Sequence, residues 1–172
     1  QELDSIVHHP CPQKVECSVL SPLTTYSFSV RHEEDDPTES TKTYSFTTWG
    51  ASGNGPANFK LVAGACAKTG SNNEVFDRMK NLSPDLYLQL GDLFYGDIAV
   101  NDNAEFAKFY SQALGSARQK AFYATTPVAY IYDDHDFGPN NSDSSSVSKP
   151  AAIWGLDTVA PSYGVAADAP AG

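Results

Sequence analysis

The sequence predicts an α/β chain in which a layered module of parallel strands and helices follows an incomplete, all-β piece. Three observations predict it. The early part of the chain alternates apolar and polar residues with period two, three later apolar runs are separated by helical spacing, and a Gly/Ser/Pro/Asn stretch divides the two patterns.

The chain's 172 residues permit one ordinary domain, or one plus a small module. With 41% hydrophobic residues and 12 glycines it has the composition of a globular chain rather than a disordered one. Its 11 basic against 21 acidic side chains leave a net charge of −10, which argues against a surface built to neutralise nucleic-acid phosphates or anionic lipid and leaves clustered acids free to hold cations. No nucleic acid is expected as a partner beyond a possible substrate. No apolar run approaches the roughly 18 residues of a membrane span, and the first twenty residues lack the basic start and apolar stretch of a signal peptide. Any targeting segment is therefore expected to be missing from the chain.

From Val15 to Thr48 the pattern is that of strands: Val15, Cys17 and Val19 alternate, then Tyr26, Phe28 and Val30, then Tyr44 and Phe46. Ser21-Pro22 supplies a turn, and the acidic run His32–Glu39 reads as a solvated loop. Cys11 and Cys17 could face each other across a short hairpin, leaving Cys66 as a lone thiol. That combination fits an oxidising compartment, so an extracellular or secreted location is expected. Asn81-Leu82-Ser83 and Asn140-Asn141-Ser142 match the N-glycosylation tripeptide, a pattern short enough to arise by chance.

Trp49–Asn58 reads as a linker, after which the period changes. Phe59–Ala63, Leu86–Leu90 and Val128–Tyr132 are apolar runs of strand length and read as strands buried on both faces. Between the first two, Ser71 to Glu74 forms a capping-box pattern, followed by Val75, Phe76, Met79 and Leu82 at helical spacing until Pro84 stops the helix. Between the second and third, Phe106, Phe109, Tyr110, Ala113 and Leu114 mark another amphipathic helix ending near Gly115. The order β-α-β-α-β is the signature of parallel strands under helices. Met79 and the helical aromatics read as core. Phe137–Pro150 is polar and poor in packing residues, while Trp154, Pro161 and Tyr163 hint at a lid or a segment laid over the core.

In such sheets functional groups gather just past the carboxyl ends of the strands, where the loops converge. Here those ends read Gly64-Ala65-Cys66, Gly91-Asp92-Leu93-Phe94-Tyr95 and Asp133-Asp134-His135-Asp136. Asp92 follows an apolar strand and a glycine, with no nearby Lys or Arg, so its carboxylate either caps the next segment or is compensated by cations, which it could bridge with its two oxygens. Cys66 alone reads as a small buried hydrophobe and Tyr95 alone as a packed aromatic. Together at neighbouring strand ends, their thiolate and phenolate suit a strongly Lewis-acidic transition metal, whereas carboxylates and amide oxygens suit Ca²⁺, Mg²⁺ or Mn²⁺. Three acids crowded around His135 cannot all ionise cheaply without cations. An extended backbone there would send Asp134 and Asp136 to one side and Asp133 and His135 to the other. Asp134 is expected to ligate metal, His135 to approach the substrate, and Asn140 either to touch substrate oxygens or to shape the loop.

The motifs Gly64–Cys66 (GAC), Pro84–Asp97 (PDLYLQLGDLFYGD) and Tyr132–Asp143 (YDDHDFGPNNSD) resemble those of the PhoD-like alkaline phosphatase/phosphodiesterase branch of the calcineurin-like metallophosphoesterases, over about Phe59 to Tyr163. The segments Leu20–Val30 and Tyr44–Thr48 resemble the closing strands of a fibronectin type III-like sandwich, a module that precedes the catalytic domain in that family. The resemblance implies three parts: residues 1–48 as a partial fibronectin III-like β-sandwich, 49–58 as a linker, and 59–172 as the N-terminal part of a metallophosphoesterase-type layered sheet with helices. It implies Fe³⁺ held by Cys66, Asp92 and Tyr95, with Asp92 bridging to a second metal, Ca²⁺ or another divalent cation, held by Asp134. It implies His135 as the group that contacts phosphate and protonates the leaving oxygen. The expected activity is hydrolysis of phosphate monoesters or diesters.

The family's later Asp and His ligands have no counterpart after Asp157, so the chain is expected to be a fragment holding about half of the metal site. The alternative is a non-catalytic secreted binding module on the same scaffold. A serine hydrolase fails for lack of G-x-S-x-G, and nucleotide-dependent transfer has no support in the absence of a P-loop or dinucleotide glycine pattern.

Overall fold

The computed structural model describes residues 17–30, 42–50 and 58–159. The first unit is a hairpin of β1 (Thr25–Val30) and β2 (Lys42–Thr47), paired antiparallel. Its alternation places Tyr26 opposite Phe46 and Phe28 opposite Tyr44, and both pairs stack, with ring centroids 5.8 and 5.4 Å apart. The expected earlier strand does not form in its described part: Cys17–Leu20 is irregular, with Val19 at φ 63°. Cys17 is an exposed free thiol, against the expected bridge to Cys11, which lies outside the described residues.

The second unit is a three-stranded parallel sheet in the order β3 (Leu61–Gly64), β4 (Leu86–Leu90), β5 (Val128–Ile131). α1 (Val75–Asn81) connects the first pair; α2 (Asn103–Gly115) and α3 (Ala117–Tyr123) connect the second. Register sets Leu61 beside Leu86, Leu88 beside Ala129 and Leu90 beside Ile131, so these residues share one face and Val62, Tyr87, Gln89, Val128 and Tyr130 share the other.

Among the described residues, helices cover the second face. Val62, Tyr87 and Val128 pack with Phe76 and Met79 of α1 and Phe122 and Tyr123 of α3. Parallel strands added in one direction through right-handed crossovers lay their helices on one side, which accounts for the asymmetry. The opposite face leaves Leu61, Leu90 and Ile131 exposed by 50%, 43% and 57%, so the expectation of strands buried on both faces is corrected.

A second core lies between α2 and α5 (Lys149–Thr158): Phe106, Tyr110 and Ala113 meet Ala151 and Ala152, together with Leu93, Phe94 and Ile98 of the loop after β4. The helices approach closely because α5 offers small residues; a methyl group on Gly155 would stand 2.8 Å from the Tyr110 ring. The stretch Phe137–Pro150 is mostly exposed, as its polarity implies, with Gly138 and Ser148 as its buried points. Trp154 belongs to α5, while Pro161 and Tyr163 lie outside the described residues.

Two local expectations change. α1 starts without the capping box, its Glu74 making no side-chain cap; the Asn73 side chain accepts from the Val75 amide instead. The acidic tetrad is not extended. Asp133 caps a single turn of helix, α4 (Asp134–Phe137), through a reciprocal capping box with Asp136. Among the described residues no helix is long and apolar enough to cross a membrane.

Candidate metal centre

The sheet delivers its chemistry at the carboxyl ends of three adjacent strands. At the end of β4, Gly91 turns the chain at φ 89° and Asp92 follows at φ 51°, a left-handed backbone that a non-glycine residue adopts at a cost. Burial of Leu93 and Phe94 in the α2/α5 core pins the loop and leaves Asp92 and Tyr95 to turn the other way. The Thr69 hydroxyl accepts from the Tyr95 amide at 2.7 Å, and the Cys66 amide donates to the Gly91 carbonyl at 3.3 Å, tying the β3 end to the β4 end. Buried Gln89 donates to that same carbonyl at 2.7 Å. Cys66, Asp97 and Asn141 also have left-handed backbones, so strained residues cluster here.

Three expected ligands meet at one carboxylate oxygen. Tyr95 donates its hydroxyl to Asp92 Oδ2 at 2.8 Å, and Cys66 Sγ approaches the same oxygen at 3.5 Å. Hydrogen bonding with Cys66, then desolvation and the Asp92 charge, holds the Tyr95 phenol far above its ordinary range. A coordinated cation would act in the opposite sense, favouring the thiolate and phenolate.

The second group shares Asp92. Donor atoms of Asp92, Asp134 and His135 all lie within 4.8 Å of one another. The backbone amide of Asn141 donates to the Asp134 carboxylate, which chiefly holds that carboxyl below its usual range. The His135 ring lies 4.4 Å from that of Tyr95, and its Nδ1 stands 3.2 Å from Asp97 Oδ1 without a well-aligned hydrogen bond. Asn140 is exposed and donates its backbone amide to the same Asp97 oxygen at 3.2 Å. Cys66 is exposed rather than a buried hydrophobe, and Asp92 is nearly buried.

A buried atom tests whether this arrangement fits a cation. Asp92 Oδ1 is fully enclosed and has no hydrogen-bond partner, and an enclosed carboxylate oxygen left unpaired is costly. The thiol of Cys66, the phenol of Tyr95, the carboxylates of Asp92 and Asp134 and the imidazole of His135 form a donor set that fits metal ions on chemical grounds.

Sequence reading missed Asp97 and Asp136. Asp136 is wholly buried, burial pushing its carboxyl up to about 6 against the lowering effect of its hydrogen bonds. The signal was present: acids three apart at Asp133 and Asp136 form a capping-box pattern, hidden by an extended reading of the segment.

Parallel strands whose carboxyl ends present thiol, phenol, carboxylate and imidazole donors around one shared acid define an α/β protein with a candidate metal centre. Among solved structures, the chain matches one described as "Structure of PhoD", with a TM-score of 0.59 and 17% sequence identity. The match covers 79% of this chain and 31% of that one, and the chain has a PhoD-like fold. No family model and no curated protein matches the chain.

Proposed function

We propose that this chain contributes a two-cation phosphoesterase centre that hydrolyses phosphate monoesters or diesters. The observation that carries the reading is the position of Asp92: one oxygen receives Tyr95 and Cys66, the other is buried and unpaired, and donor atoms of Asp134 and His135 lie within 4.8 Å of its carboxylate. The PhoD-like fold supports the same reading.

Cys66, Asp92 and Tyr95 would hold the more Lewis-acidic ion, for which Fe³⁺ suits thiolate and phenolate; Asp92 and Asp134 would hold Ca²⁺ or another oxygen-seeking divalent ion. Such cations supply charge neutralisation at the phosphoryl oxygens and a lowered pKa for water. His135 gives the proton that the leaving oxygen needs. With Nδ1 turned to Asp97, Nε2 is the nitrogen that delivers it. Asn140, on the loop beside Asp97, contacts substrate oxygens. An extracellular or secreted setting, with abundant Ca²⁺, suits weak oxygen-ligand sites.

The test is hydrolysis of p-nitrophenyl phosphate and bis-p-nitrophenyl phosphate by the metal-loaded protein, with and without chelator. Chelator-sensitive turnover that disappears in Asp92→Asn supports the proposal. Failure of any preparation to turn over either ester, whatever metal is supplied, would retire it.

A further inference from the structure

The geometry points to Asp136 as the positioning residue of this centre, a buried clamp whose carboxylate joins the β4 turn carrying Asp92 to the α4 turn carrying Asp134 and His135. The inference rests on the metal-centre reading and adds the group that sets its spacing.

Asp136 accepts from the Asp92 amide through Oδ2 at 2.6 Å and from the Leu93 amide through Oδ1 at 2.7 Å. Oδ2 also accepts from the Asp133 amide at 3.1 Å. Both oxygens are thus used on backbone of the two turns, and among the described residues no Lys, Arg or His pairs with the carboxylate. Asp136 is itself 0% exposed, so these amides take the place of water.

The bonds have a directional consequence. The Asp92 amide makes its bond to Asp136 with Asp92 in the left-handed backbone region, and that backbone also sets the direction in which the Asp92 side chain leaves the turn. One residue further, Leu93 is anchored both by the hydrogen bond its amide donates to Asp136 and by its side chain in the core. On the α4 side, the capping box fixes the turn that projects Asp134 and His135. With both oxygens engaged by backbone amides, Asp136 acts through the backbone of the residues that line the centre.

Calorimetry with Mn²⁺ tests this on the chain itself, comparing the parent, Asp136→Asn, and Asp102→Ala, which removes the α2 cap away from the centre. Asn keeps one acceptor and turns an NH₂ toward an amide, so one clamp bond is lost. The expected result is parent-like affinity in Asp102→Ala, within about twofold, and a loss of about 10–100-fold in Asp136→Asn, the range for outer-shell ligand partners. Equal affinity in parent and Asp136→Asn overturns the role of Asp136 and leaves the centre standing. Equal losses in both variants overturn it too, as a general effect of destabilisation. A parent chain that binds no Mn²⁺ overturns the metal-centre reading and this inference with it. Should Asp136→Asn fail to fold, NMR of the parent decides: scalar couplings from Asp136 Cγ to the Asp92 and Leu93 amide nitrogens are expected before and after Ca²⁺ saturation. Their absence, or their disappearance on Ca²⁺ binding, overturns the clamp.

Discussion

Gly91 lies directly against the backbone of Asp133: a methyl group placed on it would stand 2.8 Å from the Asp133 nitrogen and 3.1 Å from its Cα. With φ at 89°, the position excludes a side chain on two counts, conformation and space. Gly91→Ala is therefore expected to destabilise the fold by roughly 2–4 kcal/mol, combining left-handed backbone strain with overpacking. At roughly 2–4 °C per kcal/mol for a chain of this size, thermal melting should shift down by about 5–15 °C. An unchanged melting temperature would show that the two turns are not in contact.

Asp92→Asn should have opposite effects with and without metal. In chelator, replacing an enclosed carboxylate that has one unpaired oxygen leaves stability unchanged or slightly raised. With metal at about 100 times its Kd, the parent gains about 2.7 kcal/mol and the variant gains little. Melting curves of both proteins in chelator and in saturating metal give the four values needed.

His135→Asn should lower kcat by about 10²–10⁴-fold with a small change in KM, as expected on removing a general acid. Asp97→Asn should cost less, since Asp97 is largely solvated and acts only on the ring's orientation. An ester with a good leaving group, which needs no proton, should recover much of the His135→Asn loss; steady-state kinetics on paired substrates reads this directly.

Alkaline pH should unfold the protein through its tyrosines. Desolvation raises Tyr87 to about 12 and pushes Tyr110, Tyr123, Tyr130 and Tyr132 higher still. An unfolded chain releases these protons near pH 10. Between those values the native state binds more protons than the unfolded one, so stability is fully present below about pH 10 and is lost as pH rises through 12. The slope is about 1.4 kcal/mol per pH unit for each such group. Ultraviolet titration of tyrosinate alongside denaturant melts from pH 8 to 12 checks both the delayed ionisation and the falling stability.

The strand ends were legible in the sequence because short apolar runs closed by glycine and acids have few alternatives. Leu86–Leu90 forms the expected strand, and Cys66, Asp92 and Tyr95 meet there. Burial on both faces was not legible, since an apolar run reads alike whether one side is covered or two. α3 escaped because seven residues separated from α2 by Ser116 alone show too little periodicity. The role of Asp136 escaped for a related reason: one turn of helix has no period, and only its cap betrays it. Asp97 and His135 lie 38 positions apart, a pairing that only tertiary structure reveals.

The bare side of the sheet has a consequence for handling the protein. Leu61, Leu90 and Ile131 form an oily surface on a chain whose copies repel one another through ten excess negative charges. Salt shortens the reach of that repulsion from about 8 Å at physiological strength to about 3 Å at 1 M and leaves the oily attraction intact. Self-association should therefore grow with ionic strength, and grow again as acidification toward the isoelectric point near 4.6 removes the charge itself.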